Sequence, residues 1–138
     1  TTATGFTNTY LTPGKTYVYK VRTYNLRNGT IIASGAFSAA AIGVPLAKPA
    51  FTSLSGIGRD RVTLTWSKVA GATGYQVLRS GTAAGAYKLV RTLTGTSTTI
   101  TGLTPGTVYY FKVQAYKKLY TTLYYSPLSA YKGMKTLR

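Results

Sequence analysis

The side chains able to do chemistry in this 138-residue chain are thirteen tyrosines, many serines and threonines, and seventeen lysines and arginines set against one acid, Asp60. General acid–base catalysis uses histidine or paired carboxylates. The chain has no His and a single carboxylate side chain, so hydrolase and glycosidase schemes lack their parts. A serine or threonine nucleophile would have only lysine as its activating base, an unusual pairing in a small β domain. An intramolecular isopeptide bond needs an acid beside a Lys–Asn pair, and Asp60 falls in a predicted turn. Metal sites built on His, Cys or several carboxylates are missing as well, since Cys is absent altogether. These counts describe a non-enzyme with no metal and no cofactor. They also exclude a disulfide framework, without fixing the compartment.

The chemistry that remains is recognition. Tyr110, Lys112, Tyr116, Lys117, Lys118, Tyr120, Tyr124 and Tyr125 fall on outward positions of one predicted strand or in the loop before the last one. Tyrosine offers a rigid ring and a hydroxyl, lysine adds attraction for phosphate or carboxylate, and sugar rings stack on the same mixture. The competing reading is structural, with cross-strand aromatic pairs stabilising an exposed sheet face. The net charge of +16 divides in the same way. It describes either a solvated basic surface or a partner dense in negative charge, such as a wall polymer, an acidic polysaccharide or nucleic acid. Basic residues among aromatics are a nucleic-acid footprint. No helix-turn-helix, zinc or nucleotide-stacking motif accompanies them here, so nucleic acid is the weaker candidate.

The stretch that carries these residues occurs twice. Leu103–Tyr116 reads LTPGTVYYFKVQAY and Leu11–Tyr24 reads LTPGKTYVYKVRTY, 92 residues earlier (103 − 11). Pro-Gly is a turn pair at a strand entrance. Beyond it Tyr109, Phe111, Val113 and Ala115 fall on one face, and Tyr110, Lys112, Gln114 and Tyr116 on the other. In the first copy Tyr17, Tyr19, Val21 and Thr23 oppose Val18, Lys20, Arg22 and Tyr24. A period of two predicts a half-buried antiparallel strand. Downstream, Phe37–Leu46 can be laid over Leu128–Leu137 with Ser38 on Ser129, at an offset of 91 (129 − 38). The repeat therefore covers two strands and their connection. Asn28-Gly29 is a strong hairpin-turn pair; with Thr30 it also spells a glycosylation sequon, for which the turn is the preferred reading.

Val44–Ala50, with Pro45 and Pro49, reads as a short stiff linker. After it, strand-like segments recur at roughly ten-residue spacing, the rhythm of an all-β sandwich. They are Phe51–Leu54, Arg61–Ser67, Gly74–Ser80, Tyr87–Leu93, Ser97–Leu103, the signature strand, and Tyr125–Leu137. Gly58-Arg59-Asp60 lies in a turn between the first two and is not an Arg-Gly-Asp motif. No apolar run of about 18 residues is present to span a membrane as a helix.

Trp66 on the second of these strands, Tyr75 and Val77 on the third, and Leu103, Pro105 and Tyr109 leading into Val113 and Ala115 together resemble the fibronectin type III domain, over about residues 48–138. The resemblance implies an all-β, seven-stranded antiparallel immunoglobulin-like β-sandwich over residues 47–138. It makes Tyr109 the tyrosine corner, whose hydroxyl bonds back to upstream backbone. It also implies an extracellular or cell-surface setting. The abundance of Lys and Tyr is similar to repeat arrays in surface proteins of Gram-positive anaerobes.

Residues 1–46 depart from the pattern, holding only the last three strands of such a unit (about 1–9, 12–24 and 35–44) and no tryptophan. Three strands cannot cover the apolar face of Tyr17, Tyr19, Val21 and Phe37, and exposure forgoes roughly 1.5–3 kcal/mol per large side chain. The expectation is a piece of a longer array whose missing strands precede Thr1. The rival is strand complementation by another chain. Neighbouring repeats of the same or another chain are thus expected partners, with an anionic polysaccharide or wall polymer beside them. The function expected is a structural or adhesion module, a spacer or stalk repeat. The alternatives are a carbohydrate-binding module using the Tyr–Lys face and an accessory domain of a larger secreted enzyme.

Overall fold

The structure, a computed structural model, describes residues 4–138, and every regular element among them is a strand. The N-terminal segment holds β1 (Tyr17–Tyr19), β2 (Tyr24–Arg27), β3 (Thr30–Ser34) and β4 (Ala41–Gly43). Then come β5 (Phe51–Ser55), β6 (Val62–Trp66), β7 (Gly74–Ser80), β8 (Lys88–Leu93), β9 (Ser97–Ile100), β10 (Val108–Leu119), β11 (Thr122–Tyr125) and β12 (Lys132–Lys135). From β5 onward these make two sheets. One has the order β5-β6-β9; the other runs β8-β7-β10, with β11 and β12 both pairing β10. All pairings are antiparallel. Strands stand at all seven expected places, the last shortened from 125–137 to Lys132–Lys135, and β11 is an eighth.

Period-two alternation places the core. Val62, Leu64 and Trp66 of β6 are buried, as are Tyr75 and Val77 of β7 and Phe111, Val113 and Ala115 of β10. Leu46, Val69, Ile100, Leu103 and Met134 complete the same cluster. The Trp66 ring meets Phe51 and Tyr75 edge-on, with centroids 6.5 and 5.6 Å away, a favoured aromatic geometry. The Tyr75 hydroxyl accepts the Val69 backbone N–H at 2.8 Å inside the core.

The sequence repeat is also a repeat of hydrogen bonds. The Tyr109 hydroxyl accepts the Thr104 N–H at 3.0 Å, and the Tyr17 hydroxyl accepts the Thr12 N–H at 2.8 Å. Gly106 N–H donates to the Leu137 carbonyl at 2.9 Å, and Gly14 N–H to that of Pro45 at 2.7 Å. Ser129 Oγ accepts the Val113 N–H at 2.9 Å, as Ser38 Oγ accepts the Val21 N–H at 3.1 Å. The strand that follows differs between the copies. β10 runs unbroken for 12 residues, because β7 pairs it from Tyr110 to Tyr116. Among the described residues the N-terminal segment has no strand in the place of β7, and its copy splits into β1 and β2, with Ser38 bonding the gap at Val21. The single strands expected over 12–24 and 35–44 are therefore shorter. Of the strand expected over 1–9, residues 4–9 form none and the rest lies outside the described residues.

The stretch read as a linker is anchored rather than free. Leu46 and Pro49 are buried, and Val44 packs on the core of the following sandwich. Gly14 and Gly71 meet backbone to backbone across this joint. A Cβ on Gly14 would come within 2.6 Å of the Gly71 Cα, and one on Gly71 within 2.3 Å of the Gly14 Cα. Both take a positive φ, +77 and +75°, so each is glycine for its conformation and for the approach it permits. Lys117 closes the joint, its Nζ donating to the Gly14 carbonyl at 2.5 Å.

The N-terminal segment leaves one apolar face open. Val21 is 70% exposed and Phe37 59%, whereas Val113, in the position of Val21, is 0% exposed. Phe6, Val21 and Phe37 line a groove of about 620 Å³ there.

Two outcomes are expected. Tyr75→Phe leaves the buried Val69 N–H without its acceptor and lowers the unfolding free energy by about 1–3 kcal/mol, measured by denaturant titration of the single Trp. Val21→Lys abolishes binding of an apolar fluorescent dye to the open groove while leaving the Trp66 unfolding midpoint unchanged; dye binding that survives the substitution contradicts the placement of the exposed face.

Candidate functional site

The outer face of the five-stranded sheet is built on β10. Tyr110, Lys112, Gln114 and Tyr116 stand opposite Ser80, Leu78, Gln76 and Gly74 of β7. Each is half-buried by its neighbours. At one end, Lys112 Nζ lies 4.4 Å above the centre of the Tyr87 ring, a cation–π arrangement. Tyr110 meets Tyr131 edge-on at 5.6 Å. The Tyr110 ring also covers Gly133, where a Cβ would come within 2.9 Å of it. At the other end Tyr116 packs on Tyr125 at 6.3 Å and over Gly74, where an added Cβ would meet its hydroxyl at 2.5 Å. Between the two, Gln114 Nε2 donates to the Ser126 carbonyl at 2.7 Å. The small glycines on adjacent strands let these rings lie flat on the sheet.

The eight residues expected on one surface occupy three places. Tyr110, Lys112, Tyr116, Lys118 and Tyr125 share the outer side. Lys117 pairs with Tyr124 across the β10–β11 hairpin, on the opposite side by alternation, and Lys117 is committed to the joint through Gly14. Tyr120 projects from the hairpin tip, fully exposed, with φ +54°. The expected loop is therefore a strand. Its turn, Tyr120-Thr121, sits where Asn28-Gly29 sits in the first copy (120 − 28 = 92). That offset was the available signal for β11, hidden because Tyr-Thr is not a turn pair. Tyr87 and Tyr131 were missed as members of the surface. Neither lies on β10, and only the fold brings them to Lys112 and Tyr110.

A family model for the fibronectin type III domain matches residues 47–130. The chain belongs to the fibronectin type III family. Among solved structures, a fibronectin type III domain derived from the human KIAA0970 protein is 29% identical with a TM-score of 0.53, over 67% of this chain and 72% of that one. Among curated proteins, Exochitinase 1 of Streptomyces olivaceoviridis is 44% identical over 61 residues, 44% of this chain and 9% of its own length. Amylopullulanase of Thermoanaerobacterium saccharolyticum is 38% identical over 63 residues, 45% of this chain and 5% of its own. The chain thus spans less than a tenth of the curated relatives it matches.

In this fibronectin type III chain the groups beside the outer face titrate according to their surroundings. Burial pushes the Tyr87 phenol above its ordinary range, with Tyr131 and Tyr110 adding to the effect. The Tyr109 phenol is held below that range by the hydrogen bond it accepts from Thr104, with Arg79 nearby assisting. Asp60 lies 3.5 Å from Arg61, both exposed. Among the described residues no three potential metal ligands cluster. What the face offers chemically is flat aromatic surface, hydroxyls and one lysine held over a ring. A phenol whose folded value is raised favours the protonated, folded state. Its contribution is complete below the unfolded value of about 10 and is lost as pH rises through the raised folded value. Relative to Tyr87→Phe, the parent chain should therefore hold constant stability below about pH 10 and lose ground above it, as read by thermal melts across that range.

Proposed function

We propose that this chain is a non-catalytic extracellular spacer module of a larger carbohydrate-active protein, held by charge against an anionic envelope or matrix polymer. The observation that carries this reading is the state of its cations. Of the seventeen Lys and Arg, all but Arg79, Lys112 and Lys117 are exposed, and the single acid, Asp60, lies beside Arg61. A surface kept soluble by charge would ordinarily mix both signs; depletion of acids leaves a field that attracts polyanions. Similarity to short stretches of Exochitinase 1 and Amylopullulanase, each many times longer than the match, supports the role of a module in a larger protein.

The same reading takes residues 47–138 as a complete unit and residues 1–46 as the C-terminal part of another. Tyr19, Val21 and Thr23 stand where Phe111, Val113 and Ala115 stand (111 − 19 = 92), so the open face has the form that a layer like β5-β6-β9 covers. A neighbouring repeat segment is the partner that supplies it.

A second reading, a module for neutral sugars, is favoured by the grouping of Tyr87, Tyr110 and Tyr131 around Lys112. One pair of measurements separates the two. Charge-driven tethering predicts retention on an immobilised acidic polysaccharide at low salt. Release should follow as ionic strength approaches about 1 M, where screening shortens to about 3 Å. Passage without retention at low salt sinks it. Saturable binding of a neutral oligosaccharide that Tyr110→Ala abolishes would put the sugar module in its place.

A further inference from the structure

The joint at Gly14 has an unoccupied twin at the far end of the sandwich. Thr104-Pro105-Gly106 repeats Thr12-Pro13-Gly14 at the same offset (106 − 14 = 92). Gly106 bonds the Leu137 carbonyl as Gly14 bonds that of Pro45, and Tyr109 pins Thr104 as Tyr17 pins Thr12. Both glycines have positive φ, +67 and +77°. The two turns differ in what lies on them. Gly14 is buried, with the backbone of Ala70 and Gly71 against it and its carbonyl taken by Lys117. A Cβ on Gly106 would meet only the Arg138 side chain, at 3.4 Å. Beside it Leu137, whose carbonyl bonds the turn glycine as that of the half-buried Pro45 does, is 55% exposed.

We propose that the Thr104–Gly106 turn and Leu137 form a docking surface for a further unit of the same kind. That unit would seat its equivalent of Ala70-Gly71 on Gly106 and give its equivalent of Lys117 to the Gly106 carbonyl. The proposal rests on the reading of the chain as a repeat module. The required partner chemistry is specific: a loop glycine with positive φ, which alone permits such backbone approach, and a lysine on the strand equivalent to β10, whose charged N–H makes the stronger class of hydrogen bond to the turn. The offset of 91 that sets Ser129 on Ser38 sets Leu137 on Leu46 (137 − 46 = 91), and it holds through the pairing of β12 with β10 and β4 with β1. Leu137 is thus the apolar counterpart of Leu46, and the contact rests on the turn, Leu137 and the lysine. Covalent connection brings the two surfaces to millimolar effective concentration, enough for a small contact to persist.

The test is a tandem protein, the full chain followed directly by a second copy of residues 47–138. Backbone NMR should show the Gly106 and Leu137 amide resonances displaced from their positions in the single chain, and the two sandwiches tumbling with one correlation time. Replacing the appended copy's lysine that corresponds to Lys117 with alanine should return both resonances and uncouple the tumbling. In the single chain, Lys117→Ala should displace the Gly14 resonance, which checks the resident joint independently. An appended copy that shows its own folded spectrum while Gly106 and Leu137 stay unmoved overturns the proposal. None of these readouts depends on polyanion retention, so that reading and this one fail separately.

Discussion

A strand with one apolar face is stable only under cover, and this constraint accounts for most of what differs along the chain. Phe111, Val113 and Ala115 are fully buried because β6 supplies Val62, Leu64 and Trp66 opposite them. β7 beside them fixes the register residue by residue. The first copy has the turn, the tyrosine corner and the serine bridge of the second. Those local bonds hold Thr12–Val21 and Ser38 in the same arrangement without a second layer. They do not bury Val21 or keep the strand continuous. Hydrogen bonding specifies the shape of the corner, while burial supplies the driving force, and the chain displays the two separately.

The joint follows from the same division. A turn whose shape is set by its own hydrogen bonds presents a bare glycine backbone, and another glycine turn can approach it to a distance no side chain would permit. Lys117 then does more for geometry than for charge. Its ammonium donates to the Gly14 carbonyl, while the Gly14 N–H is taken by the Pro45 carbonyl, so both polar groups of the turn glycine are engaged. With Leu46 and Pro49 sunk into that sandwich, four separate points tie the N-terminal segment to it. Proline alone would have stiffened the connection without choosing its angle.

Alternation carried most of the fold in the sequence. Phe111, Val113 and Ala115, expected on one face of the signature strand, are all buried, and the alternating residues Val62, Leu64 and Trp66 of β6 and Tyr75 and Val77 of β7 are buried with them, because period two is a backbone property that survives any tertiary context. β11 was not legible. Tyr120-Thr121 lacks the chemistry of a turn pair, and Tyr120 is carried to φ +54° by the pairing of Leu119 with Thr122. The joint was invisible for a different reason: Gly14, Gly71 and Lys117 are far apart in sequence, and each has a sufficient local explanation. The candidate face was half legible. The outward residues of β10 follow from parity, but Tyr87 and Tyr131 reach it from a loop and from the segment before β12, and parity says nothing of them.

The tyrosines therefore sort by what already engages them. Tyr17, Tyr75 and Tyr109 spend their hydroxyls on backbone N–H groups, and Tyr116 and Tyr110 cover glycines on neighbouring strands. Lys112 is drawn onto Tyr87 and Lys117 onto Gly14, so neither of these two lysines is free for a partner. Most other cations, Lys132 and Lys135 among them, are exposed, and Lys118 is exposed on the same side as Tyr116. Free charge therefore extends well beyond the aromatic surface of this molecule. A partner recognised by charge alone has no need to touch the tyrosines, and one that stacks on the tyrosines meets a lysine already in place.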